Sequence, residues 1–199
     1  MLCFVVAIIL ALFQSARSKS YTFSTLMGTG TPAYSGDNGP ATSATLYYPG
    51  SIWQNTVYET FIADTNNGCV RKISTSNIAS TYAGVCNTVA GGAFNSDNIQ
   101  ATLSNLYYPF TIYIDSNSKL YVADYANGRI RLVATNGIIS TVAGGGVSVS
   151  DGISALAANI YNPFSVWLNS NGVIYIAEFS SFRVRYVTQG GLIYTVAGK

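Results

Sequence analysis

Tyr121–Val133, YVADYANGRIRLV, sets two apolar runs on either side of Asp124, a polar turn and a first Arg, with a second Arg inside the later run. The same layout returns at Phe61–Ile73, FIADTNNGCVRKI, and at Tyr175–Val187, YIAEFSSFRVRYV. Independent anchors share one spacing: Pro49, Pro109 and Pro163 stand 60 and 54 residues apart, as do Asp64, Asp124 and Glu178, and Arg71, Arg131 and Arg185. A second phrase, Ser80–Gly84 (STYAG), recurs as Ser140–Gly144 (STVAG) and Tyr194–Gly198 (YTVAG). Unrelated anchors with one period mark a repeat protein. Within a unit the apolar runs are short, bounded by Gly, Asn, Asp and Ser, and carry no sustained 3.6-residue period, so each unit is predicted to be a small antiparallel sheet.

In chain order the first unit predicts strands at Ser51–Trp53, Thr60–Ala63, Val70–Ser74 and Ile78–Ala83, after a long linker from Gly30 to Leu46. The second predicts Phe110–Ile114, Leu120–Ala123, Ile130–Ala134 and Ile138–Ala143, and the third Phe164–Leu168, Val173–Ala177, Phe182–Val187 and Leu192–Ala197. Asn136-Gly137 and Asn171-Gly172 are two-residue hairpin signals. Four short strands per unit cannot bury both sheet faces alone, and stacking such sheets around a channel solves this as a β-propeller does. The small residues Ile62-Ala63, Val122-Ala123 and Ile176-Ala177 suit the strand where blades converge. Tyr21–Met27 (YTFSTLM) reads as one additional strand of the STVAG type, the outer strand of a blade whose other three strands are absent. A β-sandwich is the competing architecture, but it does not call for an acid and an Arg at every turn.

The repeat resembles the NHL repeat over Tyr21 to Gly198, most specifically at Ser35–Leu46 leading to Pro49, at Ile62–Arg71, at Val122–Arg131 and in the STVAG phrase. The chain departs from the family pattern with Glu178 in the third copy and with Cys69 where Arg129 and Arg183 stand. The resemblance implies an all-β fold, a β-propeller segment of three four-stranded blades over about residues 29–84, 85–144 and 145–198, plus the N-terminal outer strand. Six blades is the expected closure. The chain then reads as the N-terminal part of a longer propeller, with two identical chains forming one ring as the alternative. The family's functions run from protein and RNA binding to lyase activity, so the resemblance leaves function open.

The formal charge is only +2 with 9% charged residues, which excludes the basic footprint of a nucleic-acid partner. Leu2–Phe13 is an uninterrupted apolar run followed by small residues, so residues 1–18 are predicted to be a secretory signal and residues 19–199 the mature, secreted or extracellular protein, with no membrane span after its removal. Cys69 and Cys86 then remain, placed to form a disulfide across a hairpin. Asp64, Asp124 and Glu178 each precede an Arg by seven residues across a hairpin, which suits a structural clasp. Asp37, Asp97 and Asp151 share one linker position, suited to capping a turn or to lending oxygen to calcium. Tyr47, Tyr48, Tyr107, Tyr108 and Tyr161 are expected to pack between blades, with a binding platform as the alternative.

The chain contains no His, which removes the commonest general base and zinc ligand, including the metal-bound His residues of the family's lyase branch. No catalytic set, cofactor or metal site is therefore predicted. The expected function is binding of protein, peptide or glycan through loops on one propeller face. The alternatives are a structural segment of a larger extracellular protein and an enzyme of unfamiliar type.

Overall fold

A computed structural model describes residues 24–86 and 92–198. The expected signal segment lies outside the described residues.

Three antiparallel sheets follow one another along the chain. The first consists of β1 (Pro49–Gln54), β2 (Thr60–Asp64), β3 (Cys69–Ile73) and β4 (Ala79–Ala83), hydrogen-bonded in that order. The second holds β6 (Pro109–Ile114), β7 (Leu120–Asp124), β8 (Arg129–Val133) and β9 (Ile138–Gly144), with the two-residue β5 (Ile99–Gln100) added beyond β9. The third repeats this with β11 (Pro163–Leu168), β12 (Ile174–Glu178), β13 (Arg183–Val187), β14 (Leu192–Ala197) and the edge strand β10 (Ile153–Ser154). Such sheets are blade-like units of the kind that β-propellers stack.

The fifth strands are a departure from four per repeat. Asn98 and Gly152 adopt left-handed φ and reverse the linker, so that the Asn98 N–H reaches the Ile139 carbonyl at 2.8 Å and the Ala101 N–H reaches Gly137 at 2.8 Å. In the first repeat Pro40 occupies the matching position and forms an isolated bridge to Ile78, with the Asn38 N–H reaching the Ala79 carbonyl at 2.8 Å and the Ala41 N–H reaching Asn77 at 2.9 Å. Each linker then makes a single 3₁₀ turn, Ala41–Ser43, Ala101–Leu103 and Ala155–Ala157, whose first Ala is buried against the sheet.

The expected strand at Tyr21–Met27 is corrected over its described part. Ser24–Met27 belong to no ladder, because no neighbouring strand offers them hydrogen bonds; Met27 instead packs beside Ala41, Ala44, Ile62, Ile73 and Ala79. The convergence of blades is also displaced from its expected place. Adjacent sheets meet most closely through the first strands, with the Ile112 N–H donating to Ser51 Oγ at 3.0 Å and the Val166 N–H to Thr111 Oγ1 at 3.2 Å. These strands are sheet edges and so are free to face a neighbour. Ile62-Ala63 and Val122-Ala123 lie one strand further in, on strands buried along their whole length.

Two apolar cores fill the spaces between sheets. Phe61, Ala63, Val70 and Ala83 of the first sheet pack on Leu106, Ile112, Leu120, Val122 and Ile139 of the second. Tyr121, Ala123, Ile130 and Ala143 of the second pack on Ile160, Val166, Ile176, Val187 and Ile193 of the third. The Gly of the STVAG phrase is needed where it stands: Gly84, Gly144 and Gly198 have φ of 90°, 89° and 83°, and a Cβ on Gly144 would come within 2.1 Å of the Gly128 carbonyl oxygen.

Candidate functional site

Each repeat builds one charged cluster at the end where its first strand begins. The register pairs Pro49 with Asp64, Pro109 with Asp124 and Pro163 with Glu178, so Pro opens the first strand opposite the acid that ends the second. Arg71, Arg131 and Arg185 come from the third strands and are completely buried. The structure brings each Arg between two acids. Arg71 Nη2 lies 2.6 Å from Asp37 and its Nη1 lies 3.6 Å from Asp64; Arg131 sits 3.0 Å from Asp97 and 3.6 Å from Asp124; Arg185 sits 3.2 Å from Asp151 and 3.7 Å from Glu178.

The linker acids are therefore the nearer partners. Their other contacts come from the STVAG phrase: the Thr81 hydroxyl and N–H donate to Asp37, the Thr141 hydroxyl to Asp97, and the Thr195 hydroxyl and N–H to Asp151. The strand-end acids take a backbone N–H from the tyrosine before the first strand, Tyr47 and Tyr107 at 2.7 Å, together with the Asn67 or Asn127 side-chain amide. In the third copy the longer Glu178 accepts from Ser181 and from Arg183. Tyr34 and Phe94 cover the Arg71 and Arg131 guanidiniums at 4.9 and 5.0 Å. Among the described residues no group of three His, Cys, Asp or Glu comes together to hold a metal.

Burial sets how these acids titrate. It pushes the Asp124 carboxyl up to about 6, and hydrogen bonds from Tyr107 and Asn127 with the Arg131 charge oppose it only in part. Asp64 moves the same way for the same reason. At Asp37 burial is outweighed by the Thr81 hydrogen bond, the Arg71 charge and the Tyr34 hydroxyl, which hold it below the usual carboxylate value, and Asp151 is likewise lowered by Thr195 and Arg185 against burial. A raised native value means that the folded chain binds its proton before the unfolded chain does. Stability should then rise by about 1–3 kcal/mol as pH falls from about 6 toward 4, and fall again at lower pH as Asp37 and Asp151 protonate. Urea midpoints at pH 7, 5 and 3 measure this, and the intermediate rise should be smaller in Asp124→Asn, where only Asp64 remains to supply it.

A different group of side chains faces solvent at the same end. Phe110, Tyr125, Phe164 and Phe179 form a closed quartet of rings, with centroids 5.0 Å apart for Phe110–Tyr125 and Phe110–Phe164, 6.3 Å for Tyr125–Phe179 and 6.1 Å for Phe164–Phe179. The second strand's end and the turn after it position Tyr125 and Phe179; the first strand's second residue positions Phe110 and Phe164. The Asn162 amide donates to the Tyr125 carbonyl, and the Ser180 hydroxyl donates to Asn162 at 2.7 Å, tying the turns together. The first repeat carries Gly50 and Thr65 at these places. Their small size opens a groove of about 360 Å³ beside the quartet, lined by Tyr48, Pro49, Gly50, Thr65, Asn66 and Phe110.

Phe182 adjoins this surface on the turn that carries Phe179. It is 86% exposed and has φ of 56°, where the first two repeats place Gly68 and Gly128. A bulky residue there costs about 1–2 kcal/mol in backbone strain, and burial returns nothing. The tyrosines expected between blades are also displaced: Tyr48 is 70% exposed with its ring tilted against Tyr47, Tyr107 stacks on Tyr108, and Tyr161 is exposed. The chain turns left-handed at Tyr48 and Tyr108 just before Pro, which turns these rings away from the cores.

No family model matches this chain, and no curated protein matches its sequence. Solved structures do share its fold. A phosphatase-like protein from Bacteroides thetaiotaomicron aligns over 80% of this chain and 37% of its own, with 13% identity and a TM-score of 0.59. An auxiliary nutrient binding protein from the same organism aligns over 84% and 43%, with 13% identity and a TM-score of 0.57. Virginiamycin B lyase from Staphylococcus aureus aligns over 74% and 40%, with 16% identity and a TM-score of 0.51. This chain spans about two fifths of each of them. At such identities the likeness is one of fold, shared by binding proteins and enzymes alike.

The aromatic quartet was not anticipated from the sequence. The signal was present in the repeat alignment itself: positions 50, 110 and 164 read Gly, Phe, Phe, and positions 65, 125 and 179 read Thr, Tyr, Phe. A difference between copies marks what one copy does that the fold does not require.

The remaining sequence expectations concern compartment and pairing. Cys69 and Cys86 are joined by a disulfide, 17 residues apart in sequence. Among the described residues no helix is long and apolar enough to cross a membrane.

Proposed function

We propose that this chain is an NHL-type propeller segment, secreted, that works as a non-enzymatic binding module for an uncharged peptide, protein or glycan surface. The ligand lies in the groove beside Tyr48 and across the Phe110–Tyr125–Phe164–Phe179 quartet. The observation that carries this reading is the contrast at one end of the fold: Arg71, Arg131 and Arg185 there are wholly buried and each is paired with two acids, while Phe164 and Phe179 stand exposed beside them. Aromatic platforms with amide and hydroxyl neighbours supply large contact area at little entropic cost. The Cys69–Cys86 disulfide supports an oxidising compartment. The binding protein among the structures of this fold supports a binding role.

The test uses swaps that the chain already makes between its own repeats. Tyr48→Asn gives the first repeat the residue of the third, and Phe179→Thr gives the third the residue of the first. The full chain and this double variant are displayed against an immobilised glycan panel and a random peptide library. Ligands found for the wild type should bind the double variant about 10- to 100-fold more weakly. Ligands that bind both equally would place recognition elsewhere.

A further inference from the structure

Arg71, Arg131, Arg183 and Arg185 each face a carboxylate. Among the described residues, which include all 8 Asp and Glu of the chain, Arg129 has none within ion-pairing distance. The difference from the third repeat is one methylene. Glu178 reaches Arg183 at 3.3 Å, whereas Asp124 is shorter and its two oxygens are taken by the Tyr107 N–H, the Asn127 amide and Arg131.

The unpaired guanidinium is nonetheless held in place. Its Nη1 donates to the Asn127 carbonyl at 2.7 Å, and the Phe94 ring covers it with a centroid 4.0 Å from Cζ. Phe94 is fixed in turn, because its own N–H donates to Asn127 Oδ1 at 2.9 Å. In the other four arginines Nε is buried without a partner; in Arg129 the Nε and Nη2 also lack a partner, but neither is buried. Gly145 keeps that edge open. It is exposed and left-handed, and a Cβ there would lie 2.7 Å from Nε and 2.8 Å from Nη2. In the first repeat, where Cys69 replaces the arginine, the place of Gly145 is taken by Val85.

We infer that Arg129 is a recognition site for an acidic peptide, whose Asp or Glu carboxylate sits over Gly145 against the Nε–Nη2 edge. That edge carries two parallel N–H donors, which match the two oxygens of a carboxylate. The charges match as well, one against one, where a phosphate dianion would bring a second charge that no neighbouring cation meets. Two residues beyond Gly145, within about 7 Å of chain, Val147 is 91% exposed and offers the rest of a peptide an apolar neighbour. The site lies within the second repeat, between the first and the third, and is independent of the ligand proposed for the aromatic quartet.

Nuclear magnetic resonance of the arginine Nε–H groups in the full chain tests this, with the Arg129 signal identified by its loss in Arg129→Gln. Acetyl-tetraglutamate amide should move that signal to saturation at millimolar concentration, and acetyl-tetraglutamine amide should not. Backbone amide shifts should show the tetraglutamate bound about 10-fold more weakly by Arg129→Gln. Gly145→Ala should weaken it similarly while keeping the charge; if that variant does not fold, Arg129→Lys, which keeps the charge but gives up the two-donor edge, serves in its place. An Arg129 signal unmoved by tetraglutamate at about 10 mM, wild-type affinity in Arg129→Gln, or a response as strong to inorganic phosphate or to tetragalacturonate would overturn the proposal.

Discussion

Arg131→Met should destabilise the chain by about 3–5 kcal/mol, the largest effect of any single side chain in the clasps. Arg131 is completely buried, and methionine keeps most of its volume, so the loss comes from charge and not from a cavity. What remains is unequal. The Asp124 side chain is wholly buried, while the Asp97 side chain keeps 33% exposure and access to water. Adding Asp124→Asn to Arg131→Met should therefore recover much of the loss, and adding Asp97→Asn should recover little. Chemical denaturation of the three variants measures the difference. Equal recovery from both would mean that the two acids share the burden, contrary to their burial.

That unequal partnership also explains how much of the cluster the sequence revealed. The acid and Arg seven residues apart are related through a hairpin, and hairpin geometry follows from local pattern: alternating apolar runs, a polar turn and a fixed register. Asp124 therefore faces Arg131 as soon as β7 and β8 are drawn. The nearer partner, Asp97, is 34 residues from Arg131, and its approach depends on the left-handed turn at Asn98 and the short strand that follows. No periodic pattern announces a two-residue strand. The same limit applied to Ser24–Met27, whose sequence suits a strand but whose partner strand is missing from its surroundings.

The aromatic surface was hidden for the opposite reason. Repeat reading rewards what recurs, and Asp, Arg, Pro and the STVAG phrase recur because every blade must be tied in the same way. Phe110, Tyr125, Phe164 and Phe179 occupy positions where the first repeat carries Gly50 and Thr65. Gly50 is closely packed, since a Cβ there would lie 2.6 Å from the Phe110 carbonyl oxygen. The first two blades therefore pack tightly at this end, and the rings of the later blades rise beside a low floor. Asymmetry among near-identical units makes the groove.

Reduction of the disulfide should cost about 3 kcal/mol, from the entropy of a loop of this length, and the loss should fall on the first sheet. Cys69 begins β3 where Arg129 and Arg183 begin β8 and β13. Those arginines hold their own turns, Arg129 donating to the Asn127 carbonyl at 2.7 Å and Arg183 to Glu178 at 3.3 Å, and Cys69 cannot do so. Outside β4 the linker forms the single Pro40–Ile78 bridge where the other two sheets have a two-residue strand. The covalent link takes over the arginine's tie, joining the start of β3 to the chain leaving β4. Hydrogen exchange on the reduced protein should show faster exchange across Cys69–Ala83 and little change across Arg183–Ala197. Uniform acceleration through all three sheets would show that they unfold as one unit, with the disulfide stabilising the whole stack and not its first blade.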